Sequence, residues 1–241
     1  MNLLLFLITF NLLLISRLRL TFRDDAIDGK SLAKMSVIPL FSLPILEIGT
    51  AWYFLMGYMV VAPLVMYLLE HKGRNLYLNR LRVLGLHAIV LAILFSPAVD
   101  MKLANYIQLI LERNGIDNPF QLLIVQAFLF GGLLVMNEMN VALRYLMKML
   151  NLTEIGKSTS EDNISAKEYN TGRVIGMIER LLIYTFTLSG QFAAIGFVLT
   201  AKGIVRYREF EDRTFAEYVL IGTLLSALLA MGSAFLVKLL L

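Results

Sequence analysis

Cysteine is absent from the 241 residues, so disulfides, thiolate metal sites and a cysteine nucleophile are excluded. Histidine is scarce. His71 and His87 alone fall short of the three or four ligands a zinc site usually takes, and no metal or cofactor is expected. Charged residues make up only 17% of the chain, against about a quarter in a soluble domain. Catalytic signatures are missing too: there is no H-E-x-x-H, no paired-aspartate motif and no G-x-S-x-G, and Ser189-Gly190 has no evident base. Nothing in the chain supports an enzyme.

What is present is apolar. Hydrophobic residues make up 58% of the sequence and mean hydropathy is +0.72. They gather into long runs separated by short charged loops, the pattern of a single polytopic membrane domain. The expected fold is therefore all-α: an integral membrane helical bundle with five or six membrane segments and one or two interfacial helices. Net charge is +4, but the cations sit at the ends of apolar runs rather than in one stripe. That distribution suits topology signals and a lipid bilayer with anionic headgroups, and speaks against nucleic acid.

The chain reads in three parts: membrane helices over 1–152, a polar linker over 153–171, and a C-terminal pair of membrane helices over 172–241. The first apolar run is followed directly by Arg17, Arg19 and Arg23, which favours a retained anchor with its N-terminus outside. Residues 17–35 and 70–82 read as cationic loops. Between them the run 36–69 is broken by Pro39, Pro44, Gly49, Gly57 and Pro63. Either it is one kinked helix, or a re-entrant piece (Val37 to Ile48) precedes a full span (Thr50 to Leu69); the broken version is preferred. A span over Leu84 to Val99 and a short amphipathic helix over Met101 to Arg113 follow. Pro119 opens a further span that continues past Met136.

The stretch expected to organise the rest is Gly172 to Arg208. A charged gateway (Arg173, Glu179, Arg180) precedes the uncharged run Leu181 to Ala201, and Lys202, Arg206 and Arg208 close it. This reads as a spanning helix. Ser189, Ala193, Gly196 and Thr200 line one face of it, and Gly222, Ser226, Ala230 and Ala234 repeat along the last helix. Small residues so spaced let membrane helices approach closely, within the chain or across an oligomer. Gly172-x-x-x-Gly176 is a second such motif. Topology leaves one conflict: the cationic loop Lys202 to Arg213 falls outside unless the organising segment dips back.

Polar groups at membrane depth are costly and invite functional readings. The candidates are Glu47, Glu138, Gln126, Gln191 and His87. Glu47 stands out because its neighbouring prolines and glycine could form a broken helix lining a substrate or ion site. Two functions follow. The first is a small transporter or channel-like protein with Glu47, Glu138 and Gln191 on a polar path. The second is a non-catalytic membrane scaffold or regulatory subunit, contacting a membrane partner protein through the gateway and linker.

The C-terminal third also carries a resemblance. Gly172-Arg173-x-Ile175-Gly176-x-x-Glu179-Arg180, Gly190-Gln191, Ile195-Gly196-Phe197, Ala201-Lys202 and Glu217-Tyr218-x-Leu220-Ile221-Gly222-Thr223 resemble the C-terminal region of an uncharacterised family of bacterial multi-pass membrane proteins, a domain-of-unknown-function family. The resemblance covers roughly the last seventy residues. It implies a bacterial inner-membrane protein and assigns no activity. Many members carry a His- and Asp-containing N-terminal domain, and this chain departs from that pattern, with only His87 at membrane depth.

Overall fold

The computed structural model describes residues 2–72, 75–99, 101–115, 119–152, 166–205 and 213–241. Among them are nine helices and no β-strand, as an all-α chain requires. They are α1 (Leu3–Arg17), α2 (Gly29–Leu40), α3 (Thr50–Lys72), α4 (Leu76–Leu94), α5 (Asn105–Arg113), α6 (Pro119–Met149), α7 (Ala166–Leu188), α8 (Phe192–Val205) and α9 (Arg213–Leu240). Five stretches are long and apolar enough to cross a membrane: Leu3–Leu20, α3, α4, α6 and α9. Their outward faces are apolar, with Val60, Val61 and Leu64 of α3, Ile89 and Ile93 of α4, and Leu220, Leu224 and Leu228 of α9 all exposed. Exposed apolar stripes of this length suit lipid and not water. The chain has the build of a multi-pass membrane protein.

The helices form two compact units, Met1–Leu133 and Leu134–Leu241. In the first, α1 is the central element, packed by the first part of α6 (Pro119–Leu133), by α2 and by α4. Leu5, Leu7, Phe10, Leu13 and Leu14 are all buried, and Phe10 meets Phe130 with ring centroids 5.4 Å apart.

The structure corrects the re-entrant reading of Val37 to Ile48. The helix begins earlier, at Gly29, inside the expected loop 17–35, and ends at Leu40 after Pro39. It then passes along α3 in the opposite direction instead of turning back. At one end the Ile27 amide donates to the Glu70 carboxylate (3.0 Å). At the other, the Trp52 indole donates to the Leu43 carbonyl (2.9 Å). Leu46 then pairs with Leu103, beyond the far end of α4. The expected break before α3 is present; the expected return is not.

The loop 70–82 is also shorter than expected. α3 runs on to Lys72 and α4 starts at Leu76, eight residues before the expected span. Arg74 lies outside the described residues. The amphipathic helix expected over Met101 to Arg113 is α5, starting at Asn105, with none of its residues buried.

In the second unit the run Leu181 to Ala201 is not one spanning helix. α7 stops at Leu188 and Gly190 takes φ 72°. The Gln191 amide donates to the Phe186 carbonyl (2.8 Å) and the Gly190 amide to Thr187 (3.2 Å). This is a helix C-cap that needs a left-handed residue, which glycine adopts without a Cβ clash. α8 then folds back along α7. Its 14 residues rise about 21 Å, short of a hydrocarbon core of about 30 Å. α9 packs on α7 and on Met139–Met149, the last part of α6. The linker residues 153–165 and the gate residues Arg206 and Arg208 lie outside the described residues.

Candidate functional site

Two buried polar clusters stand out, one in each unit. In the first unit, the polar ends of α1, α3 and α4 converge. The Arg80 guanidinium donates from Nε to Glu70 Oε1 (3.0 Å), from Nη1 to the Arg23 carbonyl (2.8 Å) and from Nη2 to the Asp25 carbonyl (3.0 Å). The side chains of Arg80 and Glu70 are 1% and 0% exposed. Arg17 is equally buried and donates to the Arg80 carbonyl (3.0 Å) and toward Met66 Sδ (3.8 Å). The sequence placed Arg17 as a headgroup flank and Glu70 and Arg80 in a loop; all three are interior. Asn79 adds a bond to the Leu69 carbonyl (2.7 Å). A buried pair held by several hydrogen bonds fixes geometry, because losing one member strands the other's charge.

One to two turns inward, His87 of α4 shares a 2.6 Å hydrogen bond through Nδ1 with the Tyr58 hydroxyl of α3. His87, Ser16 and Arg17 border a cavity of about 20 Å³ closed by Met35, Met59 and Met66. That is room for a single water. Pro39 and Pro63 also line it. Each lacks the amide that would bond the carbonyl four residues back, at Met35 and Met59. Gln126 is held elsewhere: Asn11 Nδ2 donates to its Oε1 (2.8 Å) and its carbonyl (3.0 Å), tying α1 to α6. Glu47 is exposed, in extended chain outside any helix, with its amide on the Lys102 carbonyl. It lines no break within a helix.

In the second unit, residues Leu134–Glu138 form a π-helical turn inside α6. Such a turn disturbs the regular ladder of backbone bonds. Arg180 of α7 donates from Nε to the Val135 carbonyl there (3.2 Å). Asn137 Nδ2 donates to Glu138 Oε1 (2.8 Å), and both residues are buried. Arg173 is buried as well. Glu179 forms an ion pair with Lys202 across the α7–α8 hairpin, the two being almost equidistant from Gly190. At the hairpin's closed end Lys238 donates to the Thr187 carbonyl (3.0 Å). The gateway is thus an internal set of contacts in this unit.

The small-residue faces are placed differently from expectation. Ser189 precedes the turn while Ala193, Gly196 and Thr200 follow it on α8, exposed, so the four share no single helix face. Gly172 and Gly196 have no neighbouring atom within 4 Å of where a Cβ would stand, and at Gly176 the nearest is Arg180 Nη1 at 3.5 Å. Gly222 faces Met147 at an ordinary 3.5 Å. On α9 the packing is done by Ala227, Ala230 and Ala234, which are buried, with Ser226 partly so.

The predicted polar residues therefore do not assemble. Glu47, Gln126 and His87 belong to one unit and keep separate company; in the other, Gln191 is exposed at the hairpin turn and Glu138 is buried in the π turn. What sequence reading missed is the Arg17–Glu70–Arg80 cluster, and a signal existed. Glu70 and Arg80 flank a short turn between two apolar runs, so antiparallel helices must bring them together. Among the described residues no group of three or more His, Asp or Glu could hold a metal ion. The chain matches no protein-family model, no curated protein and no solved structure.

Proposed function

We propose that the protein is a non-catalytic membrane module, a scaffold or regulatory subunit, whose working surfaces are external. One observation carries this reading: several polar side chains at membrane depth are held by partners inside the protein. Glu70 is held by Arg80, Gln126 by Asn11, Glu138 by Asn137, and Glu179 by Lys202. Of the three residues expected on a path, Glu47 and Gln191 lie exposed outside the helices and Glu138 is buried in the π turn. The resemblance over 172–241 supports a bacterial inner membrane as its setting. Arg17, Arg19, Arg23, Lys30, Lys72, Arg80 and Arg82 lie toward the end of the first unit where α1 and α3 finish and α2 and α4 start, which favours that end as cytoplasmic.

A transporter or channel-like function keeps one specific support, the water-sized cavity bordered by Arg17 and His87. Thiol accessibility decides between the two. Single cysteines at Met59, Ala127 and Ala230, all buried, are treated in sealed vesicles with a membrane-impermeant maleimide, with Glu47→Cys as the reactive control. The module reading expects all three to stay unlabelled while the control reacts. Labelling at Met59 at a rate near the control would establish an aqueous path and favour transport.

A further inference from the structure

The face where α2 lies along α3 has a groove of about 280 Å³, lined by Leu32, Ala33 and Leu40 on one side and Val60, Pro63 and Leu64 on the other. Its one polar side chain, Ser36, turns its hydroxyl onto the Leu32 carbonyl (2.9 Å). The groove extends from Gly29 to Leu40, about 16 Å of helix, which matches one leaflet of a hydrocarbon core about 30 Å thick. Val60 and Leu64 stand on the exposed stripe of a helix apolar enough to cross a membrane. Water is a poor occupant of such a slot, and a methylene chain is a good one.

The exposed flank of α2 beside it is cationic. Lys30 and Lys34 are exposed, one helical turn apart, on the flank of α2 toward the Gly29 end. Lys72, also exposed, ends α3 at the same end of the unit. α2 has no acidic residue, and the nearest carboxylate, Asp28, is engaged by Arg23 and Ser31. An apolar slot one leaflet deep under a pair of lysines complements a molecule with an acyl tail and a negative head.

We propose that this groove is a binding site for one anionic phospholipid, its acyl chain between α2 and α3 and its phosphate at Lys30 and Lys34. The proposal needs only that the protein is embedded in a membrane, so it can fail while the module reading stands. The test is native mass spectrometry of the purified full chain with added phosphatidylglycerol or phosphatidylcholine of identical acyl chains. The wild type is expected to retain one phosphatidylglycerol in preference to phosphatidylcholine. Each lysine contributes about fivefold, so Lys30→Gln with Lys34→Gln should lower phosphatidylglycerol retention about twenty-fivefold, to the phosphatidylcholine level. Ala33→Phe, which fills the groove at an exposed position, should reduce retention of both lipids; Val60→Phe serves if that variant is poorly folded. Discrimination that survives in the double lysine variant would overturn the proposal. So would retention unchanged by filling the groove, or a groove-filling variant that alters the monomer–dimer equilibrium instead of lipid retention, which would make a second copy the occupant.

Discussion

Arg80 shows how one side chain can hold three segments. It bonds the Glu70 carboxylate of α3 and the carbonyls of Arg23 and Asp25 in the connection after α1, while Glu70 also takes the Ile27 amide. Arg80→Met alone strands a buried carboxylate and is expected to lower stability by about 3–5 kcal/mol, measured by denaturation in detergent. Adding Glu70→Leu should recover part of that loss, since the stranded carboxylate is then gone. Equal losses in the single and double variants would show that charge pairing is not what holds these ends. Asp28 offers a titration outside the spans. Hydrogen bonding from Ser31, then from Arg23, lowers its pKa from the ordinary 3.8 to about 2. A depressed carboxyl favours the folded state above its ordinary pKa, so this contribution is present at neutral pH and fades as pH falls from about 4 through 2. An Asp28 carboxyl titration followed by NMR should have its midpoint near 2 and move upward in Ser31→Ala; a midpoint unmoved by that change would remove Ser31 from the account. At this scale the sequence was a poor guide. Glu70 and Arg80 looked solvated because each lies just beyond an apolar run, and burial became visible only once α3 and α4 were paired.

The elements were more legible than their paths. Periodicity and run length placed α3, α5, α6 and α9 close to where they lie. Two paths were misread because the length of an apolar run is a poor guide to whether it crosses. The run Leu181 to Ala201 has spanning length, yet Ser189-Gly190 ends α7 by a capping geometry that glycine permits. The segment from Gly29 has only 12 helical residues, yet extended chain after Leu40 completes its passage along α3. Gly190→Ala places a Cβ in the left-handed region and is expected to destabilise the hairpin by about 1–2 kcal/mol. Gly172→Ala and Gly196→Ala meet no neighbouring atom and should fall within about 0.5 kcal/mol of wild type. Ala230 is fully buried on α9, so Ala230→Leu should cost about 1–3 kcal/mol by overpacking. Thermal unfolding of the four variants orders them; a Gly172→Ala or Gly196→Ala loss matching Ala230→Leu would restore those glycines as close-approach sites.

For the whole molecule, membrane class was legible because charge is low, at 17%, and the apolar residues gather into long runs. Topology was not, because it depends on which runs cross. Within the second unit the returning α8 brings Lys202 back beside α7, so the loop that follows begins at the end where α7 begins. This removes the conflict over Lys202 to Arg213 without breaking the positive-inside bias. Within the first unit, the passage of 29–47 along α3 lets α1, α3 and α4 place Arg17, Arg80 and Arg82 at one end, with Lys102 at the other. The most direct measurement is two-sided thiol labelling in sealed vesicles of single cysteines at Gly29, Glu47, Gly172 and Val205, exposed positions in a cysteine-free chain. Gly29 and Glu47 should react from opposite faces, and Gly172 and Val205 from the same face. If Gly29 and Glu47 share a face, or Gly172 and Val205 do not, the paths assigned to these two segments are wrong.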